Sequence, residues 1–305
     1  MPTPHLSPPL SLSRAAKPAV DPAALVRLPH AGATHDDVRR YSRARRNLLP
    51  RADRVIAVCG VWALEAVLRS GAAIEALLWC PGDRRHPALE LVAARAVPRS
   101  ERAVRVSERT LARIHPGVAA PALLAVVRLP RWPARLPADG GGLVLVADGI
   151  EYAGNLGTLV RTADACAVDA LVLTRATARV THPKAFAASR GTVLTTPVHE
   201  YADVASARAD LDAAGFTTYV ADPAGATPYR RAGLGVGPTA VVVGSEGDGV
   251  AEEWRTGLAR VSIPMLGRAD SLNVAASAAV LLFEARARWE DAAPDVAGAG
   301  PGDPR

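Results

Sequence analysis

Aromatic side chains make up only 4% of this 305-residue sequence, and cysteine occurs three times. With so few rings, any interior must be filled mainly by Ala, Val and Leu. Cys59, Cys80 and Cys166 are odd in number and far apart, which excludes a disulfide framework and a Cys-x-x-Cys metal pair. They are expected as reduced, partly buried thiols. No apolar run reaches the roughly 18 to 20 residues that cross a bilayer. The start, Met1-Pro2-Thr3-Pro4-His5, lacks the apolar stretch of a secretion signal. A cytoplasmic protein without membrane contact is expected. The seven histidines form no cluster, so no metal is expected.

What is present is 49% hydrophobic and 22% charged, with a net charge of +6, the proportions of a well-cored globular chain. The charge is unevenly divided. Residues 1–142 hold 22 Lys+Arg against 11 Asp+Glu, and residues 143–305 hold 14 against 19. A basic half joined to a mildly acidic half fits one part that meets a polyanion and another with a different task. A solvated basic surface explains the same imbalance. Lysine contributes only Lys17 and Lys184; coding bias suffices for that skew.

Residues 1–38 carry many prolines and little periodicity, and are expected as a disordered arm. After the basic cluster Arg39–Arg46, residues 39–130 read as a small α/β unit. Its strands are expected at Val55–Val58, Ile74–Trp79 and Ala122–Leu129. Its helices are expected from Val61 to Gly71, near Leu89–Ala94 and near Ser107–Ile114. Residues 131–142 are a Pro- and Gly-rich linker. From 143 to 290 the pattern is α/β with buried parallel strands, at Leu143–Ala147, Ala170–Thr174, Thr217–Ala221, Ala240–Val243 and Arg260–Pro264. An amphipathic helix is expected from about Leu272 to Trp289, and a frayed tail over 291–305.

Three patches carry candidate chemistry. The first, Asp148 to Asp164, lies between a buried strand and a helix, where α/β proteins place ligands. Its glycines at 149, 154 and 157 admit close backbone approach, and Asn155 and Arg161 follow. A plain strand-to-helix turn with a surface Arg is the alternative. The second, Gly244-Ser245-Glu246-Gly247-Asp248-Gly249, is not a P-loop, because no Gly-Lys-Ser/Thr follows. Its carboxylates would repel phosphate, and suit a cationic cofactor such as S-adenosylmethionine; an ordinary acidic turn is the alternative. The third runs from Val261 to Asn273. There Asp270 or Ser271 can cap the following helix, while Asn273, one turn in, is a weak helix former that needs another reason to be there.

In this order and spacing the patches resemble the three signature motifs of the SpoU/TrmH-type RNA 2′-O-methyltransferases of the SPOUT superfamily. Gly154-Asn155-Leu156-Gly157 with Arg161 resembles motif one, and Gly244-Ser245-Glu246-Gly247 motif two. Ser262-Ile263-Pro264-Met265 with Ser271-Leu272-Asn273 resembles motif three. The likeness covers about 143–290, and residues 39–130 more loosely resemble an L30e-like RNA-binding domain.

The resemblance implies an α/β fold with a deep trefoil knot in the C-terminal parallel-sheet domain, and a homodimer with its active site near the interface. It implies S-adenosylmethionine held by Gly244, Glu246, Gly247, Ile263, Met265, Ser271 and Leu272, chiefly through main chain. The acceptor it implies is a ribose 2′-hydroxyl in structured RNA. Ribosomal RNA is the expected substrate, with tRNA as the alternative, and DNA is not expected. Arg161 is assigned to the 2′-hydroxyl and its phosphate, Asn155 and Asn273 to orienting the ribose or loop, and Glu246 to loop geometry. Arg190, within Ala188-Ser189-Arg190-Gly191, is assigned to RNA phosphate. Three departures stand out: Ile150–Ala153 lacks the usual prolines, Ala167 stands where a turn glycine is usual, and Cys59-Gly60 replaces a Glu-Gly pair. The rivals are a non-catalytic RNA-binding member of the same fold and a nucleotide-dependent oxidoreductase. The second would need a Gly-x-Gly-x-x-Gly turn after its first strand, and the spacing here differs.

Overall fold

A computed structural model describes residues 23–81, 88–116, 122–132, 136, 142–225, 227–245 and 247–292. It comprises two compact units. One runs as far as Arg131 and takes in Arg179–Thr195; the other holds Trp132–Ala178 and the chain from Thr196 onward. Among the described residues no helix is long and apolar enough to cross a membrane.

The N-terminal unit contains α1 (Ala23–Val26), α2 (Asp36–Arg45), β1 (Val55–Cys59), α3 (Gly60–Ser70), β2 (Ile74–Trp79), α4 (Ala88–Ala96), β3 (Ser100–Arg105), α5 (Glu108–Ile114) and β4 (Leu123–Arg128). The strands order as β1-β4-β2-β3, antiparallel except for β2 with β3. Helix α3 stops where expected, because Gly71 takes the left-handed φ of 73° that closes it. Strand β3 was not expected: Glu101, Arg102 and Arg105 crowd it, and only Val104 is buried.

The expected disordered arm is corrected over its second half. Ala23–Val26 is helical, Leu25, Ala31 and Val38 are buried, and Ala31 donates its N–H to the Arg105 carbonyl at 2.7 Å. Edge strand β3 supplies backbone partners that compensate for the prolines. Residues 1–22 lie outside the described residues, as does most of the 131–142 linker.

Glu75, on β2 and 3% exposed, accepts from Arg40 Nε at 2.6 Å and from Arg128 Nε at 3.0 Å. Burial opposes its ionisation, but the two guanidiniums outweigh burial and hold the carboxyl below its ordinary range. A depressed folded pKa contributes stability above the unfolded pKa and loses it as pH falls through the folded value. Glu75→Gln is therefore expected to cost about 1–2 kcal/mol at pH 7, since both guanidiniums lose their buried charged acceptor while Arg40 keeps Asp53 and Arg128 keeps Glu101. The difference from the parent should shrink below about pH 4. Denaturant unfolding at pH 7 and at pH 3 checks both.

The C-terminal unit and its insert hold β5 (Leu143–Asp148), α6 (Ala153–Ala165), β6 (Ala170–Thr174), α7 (Pro183–Ala188), β7 (Val198–Glu200), α8 (Val204–Ala213), β8 (Thr217–Ala221), β9 (Thr227–Pro228), β10 (Thr239–Gly244), α9 (Glu252–Arg255), β11 (Ala259–Ser262) and α10 (Val274–Ala292). Seven parallel strands order as β7-β6-β5-β10-β8-β11-β9. The core includes Val144, Val146, Val172, Val220, Val242 and Trp254. Strands β7 and β9 were not foreseen, being three and two residues long. Burial pushes the Cys166 thiol up to about 11, as befits an unreactive buried cysteine.

Two boundaries differ from expectation. Strand β11 ends at Ser262 rather than Pro264, and α10 begins at Val274. Pro264 has no N–H for a ladder. The cap of α10 is neither Asp270 nor Ser271: Asn273 Oδ1 accepts from the Ala275 N–H at 3.0 Å. Ala167 has a φ of 49°, a left-handed conformation that costs a residue with Cβ about 1 kcal/mol. Arg286 secures this turn by donating to the carbonyls of Cys166 at 2.9 Å and Ala167 at 2.6 Å.

Helix α7 lies in Arg179–Thr195, which groups with the N-terminal unit, although 143–290 was expected to be one domain. Phe186 meets Trp62 at 5.6 Å between ring centroids, and Arg179 Nη1 donates to the Leu49 carbonyl at 3.0 Å. No breaker cluster or compositional change marks this excursion in the sequence.

Candidate active site

Parallel pairing brings the candidate loops together. At the C-terminal edge of the sheet, Gly244 is the register partner of Asp148, Asp148 of Thr174, and Val261 of Ala221. The chain therefore leaves β5, β10, β8 and β11 side by side, and loops far apart in sequence share one edge.

Asp148, fully buried, organises that edge. Its carboxylate accepts from Thr174 Oγ1 at 2.8 Å, from Arg175 Nε at 2.9 Å and Nη2 at 2.7 Å, and from the Ala251 N–H at 2.8 Å. Trp254 Nε1 also donates to Thr174 Oγ1, at 3.3 Å. A buried carboxylate persists only when its oxygens are satisfied in this way. The network ties β5 and β6 to the segment after β10.

The turn after β10 closes on itself. Gly249 N–H donates to the Ser245 carbonyl at 3.0 Å, and Asp248 N–H to Ser245 Oγ at 3.2 Å. A Cβ on Gly244 would overlap the backbone of Gly249 and Val250, so this position requires glycine for space.

These loops enclose a cavity of about 420 Å³, within the range that takes a small molecule. Gly244, Gly247, Ile263, Met265, Ser271 and Leu272 all line it, together with Asp222, Asp248, Asp270 and Arg255. A second cavity of about 220 Å³ opens beside it, between Ile150, Glu151, Tyr152 and Asn155. The two share Ser245, Gly247, Asp248 and Val274. Asn273 Nδ2 donates to Asn155 Oδ1 at 3.4 Å, joining the first and third patches.

The expected residues thus converge, with exceptions. Glu246 lies outside the described residues. Arg161 is exposed on α6, on the face it shares with Gly154 and Thr158, and lines neither cavity. Arg190 belongs to the N-terminal unit, where its guanidinium lies 4.5 Å from the ring centroid of Trp62. Its φ of 54° is left-handed, a strained setting of the kind that recurs at ligand sites.

Sequence reasoning placed Asp148 in the first patch without giving it a role, and missed Asp222 and Arg255. Asp222, 7% exposed, accepts from Arg260 Nε at 2.9 Å and from the Ala224 N–H at 2.9 Å. An available signal was that each Asp ends or directly follows a buried strand run, at the edge where such sheets place ligands.

Residues 142–283 match the SpoU rRNA Methylase family. Over 145 residues the chain is 36% identical to a 23S rRNA guanosine 2′-O-methyltransferase, RlmP, of Bacillus subtilis, covering 47% of this chain and 57% of that protein. The chain thus spans little more than half the length of that curated relative. The fold is similar to an AdoMet-bound rRNA methyltransferase from Sinorhizobium meliloti, with a TM-score of 0.72 at 25% identity, over 85% of this chain and 97% of the other. It is also similar to the SpoU methyltransferase AviRb of Streptomyces viridochromogenes in complex with AdoMet, with a TM-score of 0.70 at 26% identity, over 83% and 98%.

Proposed function

From the match of residues 142–283 to the SpoU rRNA Methylase family, we propose that this protein methylates a ribose 2′-hydroxyl in ribosomal RNA, using S-adenosylmethionine. The observation that carries the reading is the meeting of three distant loops at two adjoining cavities, bridged by Asn155 and Asn273. The cavity fits the donor in size and in charge. Asp248 and Asp270 face it, beside an Asp222 already paired with Arg260, and carboxylates suit a cationic ligand without phosphates. When bound, S-adenosylmethionine supplies an electrophilic methyl on its sulfonium.

This chain's residues then bind and orient. Backbone around Gly244, Ile263, Met265 and Leu272 holds the donor, while Asn155 and Asn273 fix the neighbouring cavity for a ribose. Arg161 binds the RNA phosphate and stabilises charge growing on the 2′-oxygen. Arginine is a poor base in proteins, so the phosphate or water takes the proton. Arg190, laid on Trp62, meets RNA through the N-terminal unit, whose mixed sheet supports an L30e-like reading. A ribosomal substrate agrees with that unit's basic balance and with the names of the Bacillus and Sinorhizobium proteins.

The proposed protein is a homodimer with a trefoil knot. Tyr152, Leu266 and Phe283 are 68%, 98% and 53% exposed, apolar surface that a second copy would cover. Docking there would let Arg161 serve the partner's cavity. Labelled S-adenosylmethionine incubated with fractionated RNA, followed by mapping of the modified nucleotide, tests the function. Label on a base, or on no RNA, defeats it.

A further inference from the structure

Among the described residues lining the larger cavity, three are carboxylates (Asp222, Asp248, Asp270) and one is a cation, Arg255. The proposed donor bears two positive groups, its sulfonium and its ammonium, and one negative group, its α-carboxylate. Arg255 is the one side chain on that wall with the charge to receive the carboxylate. Its position is held from two sides: Nε lies 3.5 Å from Asp222 Oδ2, and Nη1 lies 3.8 Å from Glu252 Oε2. Asp222 is itself fixed by Arg260 and the Ala224 N–H, so Arg255 is anchored to a rigid acid. Neither ion pair is a close hydrogen bond, and buried Nε makes none among the described residues. Nε is turned to Asp222, and Nη1 and Nη2, which make no hydrogen bond among the described residues, keep the capacity to donate to a ligand.

We propose that Arg255 binds the α-carboxylate of the donor's amino-acid tail, and that it thereby separates S-adenosylmethionine from nucleosides lacking that tail. This rests on the cofactor reading above and adds the group that recognises one end of the donor. A planar fork suits a carboxylate, and a charge-assisted pair is among the stronger polar contacts.

Calorimetry on the full chain with two probes tests it: S-adenosylmethionine, and 5′-methylthioadenosine, which lacks the amino-acid tail. Arg255→Ala is expected to weaken S-adenosylmethionine by about tenfold to a hundredfold and to change 5′-methylthioadenosine by less than about twofold. Arg255→Lys should recover part of the loss, and it carries the test if the alanine variant does not fold. Equal losses for both probes, or undiminished S-adenosylmethionine affinity, overturn the assignment. Should the parent protein bind neither probe, the cofactor reading itself fails, an outcome separate from the others.

Discussion

Gly244→Ala is expected to weaken S-adenosylmethionine binding by about fivefold to a hundredfold. The penalty is one of space. Gly244 is not among the positive-φ glycines, so alanine can adopt its backbone angles. The added methyl, however, would overlap main-chain atoms of Gly249 and Val250, which cannot rotate aside as a side chain would. Either β10 or the turn after it must shift, and forcing one methyl into a packed site costs about 1–3 kcal/mol. That turn forms the cavity wall, so the shift falls on the ligand, and each 1.4 kcal/mol is about tenfold in affinity. Calorimetry measures the loss, and circular dichroism should show the fold retained. Unchanged affinity would show that the larger cavity does not hold the donor.

Arg161→Ala should lower methyl transfer by about 10²–10³-fold or more, the usual effect of removing a donor that stabilises an oxyanion. Affinity for S-adenosylmethionine should stay within about twofold, because Arg161 does not line the larger cavity. Arg161→Lys keeps the charge but loses the planar fork, and should fall between the two. Mixing Arg161→Ala with Gly244→Ala addresses the dimer. If Arg161 serves its partner's cavity, mixed dimers pair one intact donor site with one intact Arg161, and activity returns. Without recovery, each chain supplies its own arginine. Full turnover in Arg161→Ala alone would remove it from the reaction.

Much of this molecule was legible locally. Buried runs such as Leu143–Asp148 and Ala170–Thr174 announce themselves because strands covered on both faces are apolar throughout. Gly71 marks the end of α3 through its own backbone freedom, whereas Asn273, expected one turn inside the last helix, caps it instead. Other parts gave little local signal. Strand β3 is charged because it is an edge, and the docking of Arg179–Thr195 on the N-terminal unit depends on Trp62, more than a hundred residues earlier.

By itself, the sequence determined the α/β alternation and the three glycine-punctuated loops, because each follows from local propensity; the six expected residues that line the larger cavity were implied by the family resemblance of those loops. Only the tertiary structure decided that Asp148 would anchor those loops, that Asp222 and Arg255 would join the wall, and that Arg161 would stand on an outer face. Those outcomes depend on which strands become neighbours. Parallel pairing sets β10 between β5 and β8, and joins groups whose separation along the chain carries no signal of their contact.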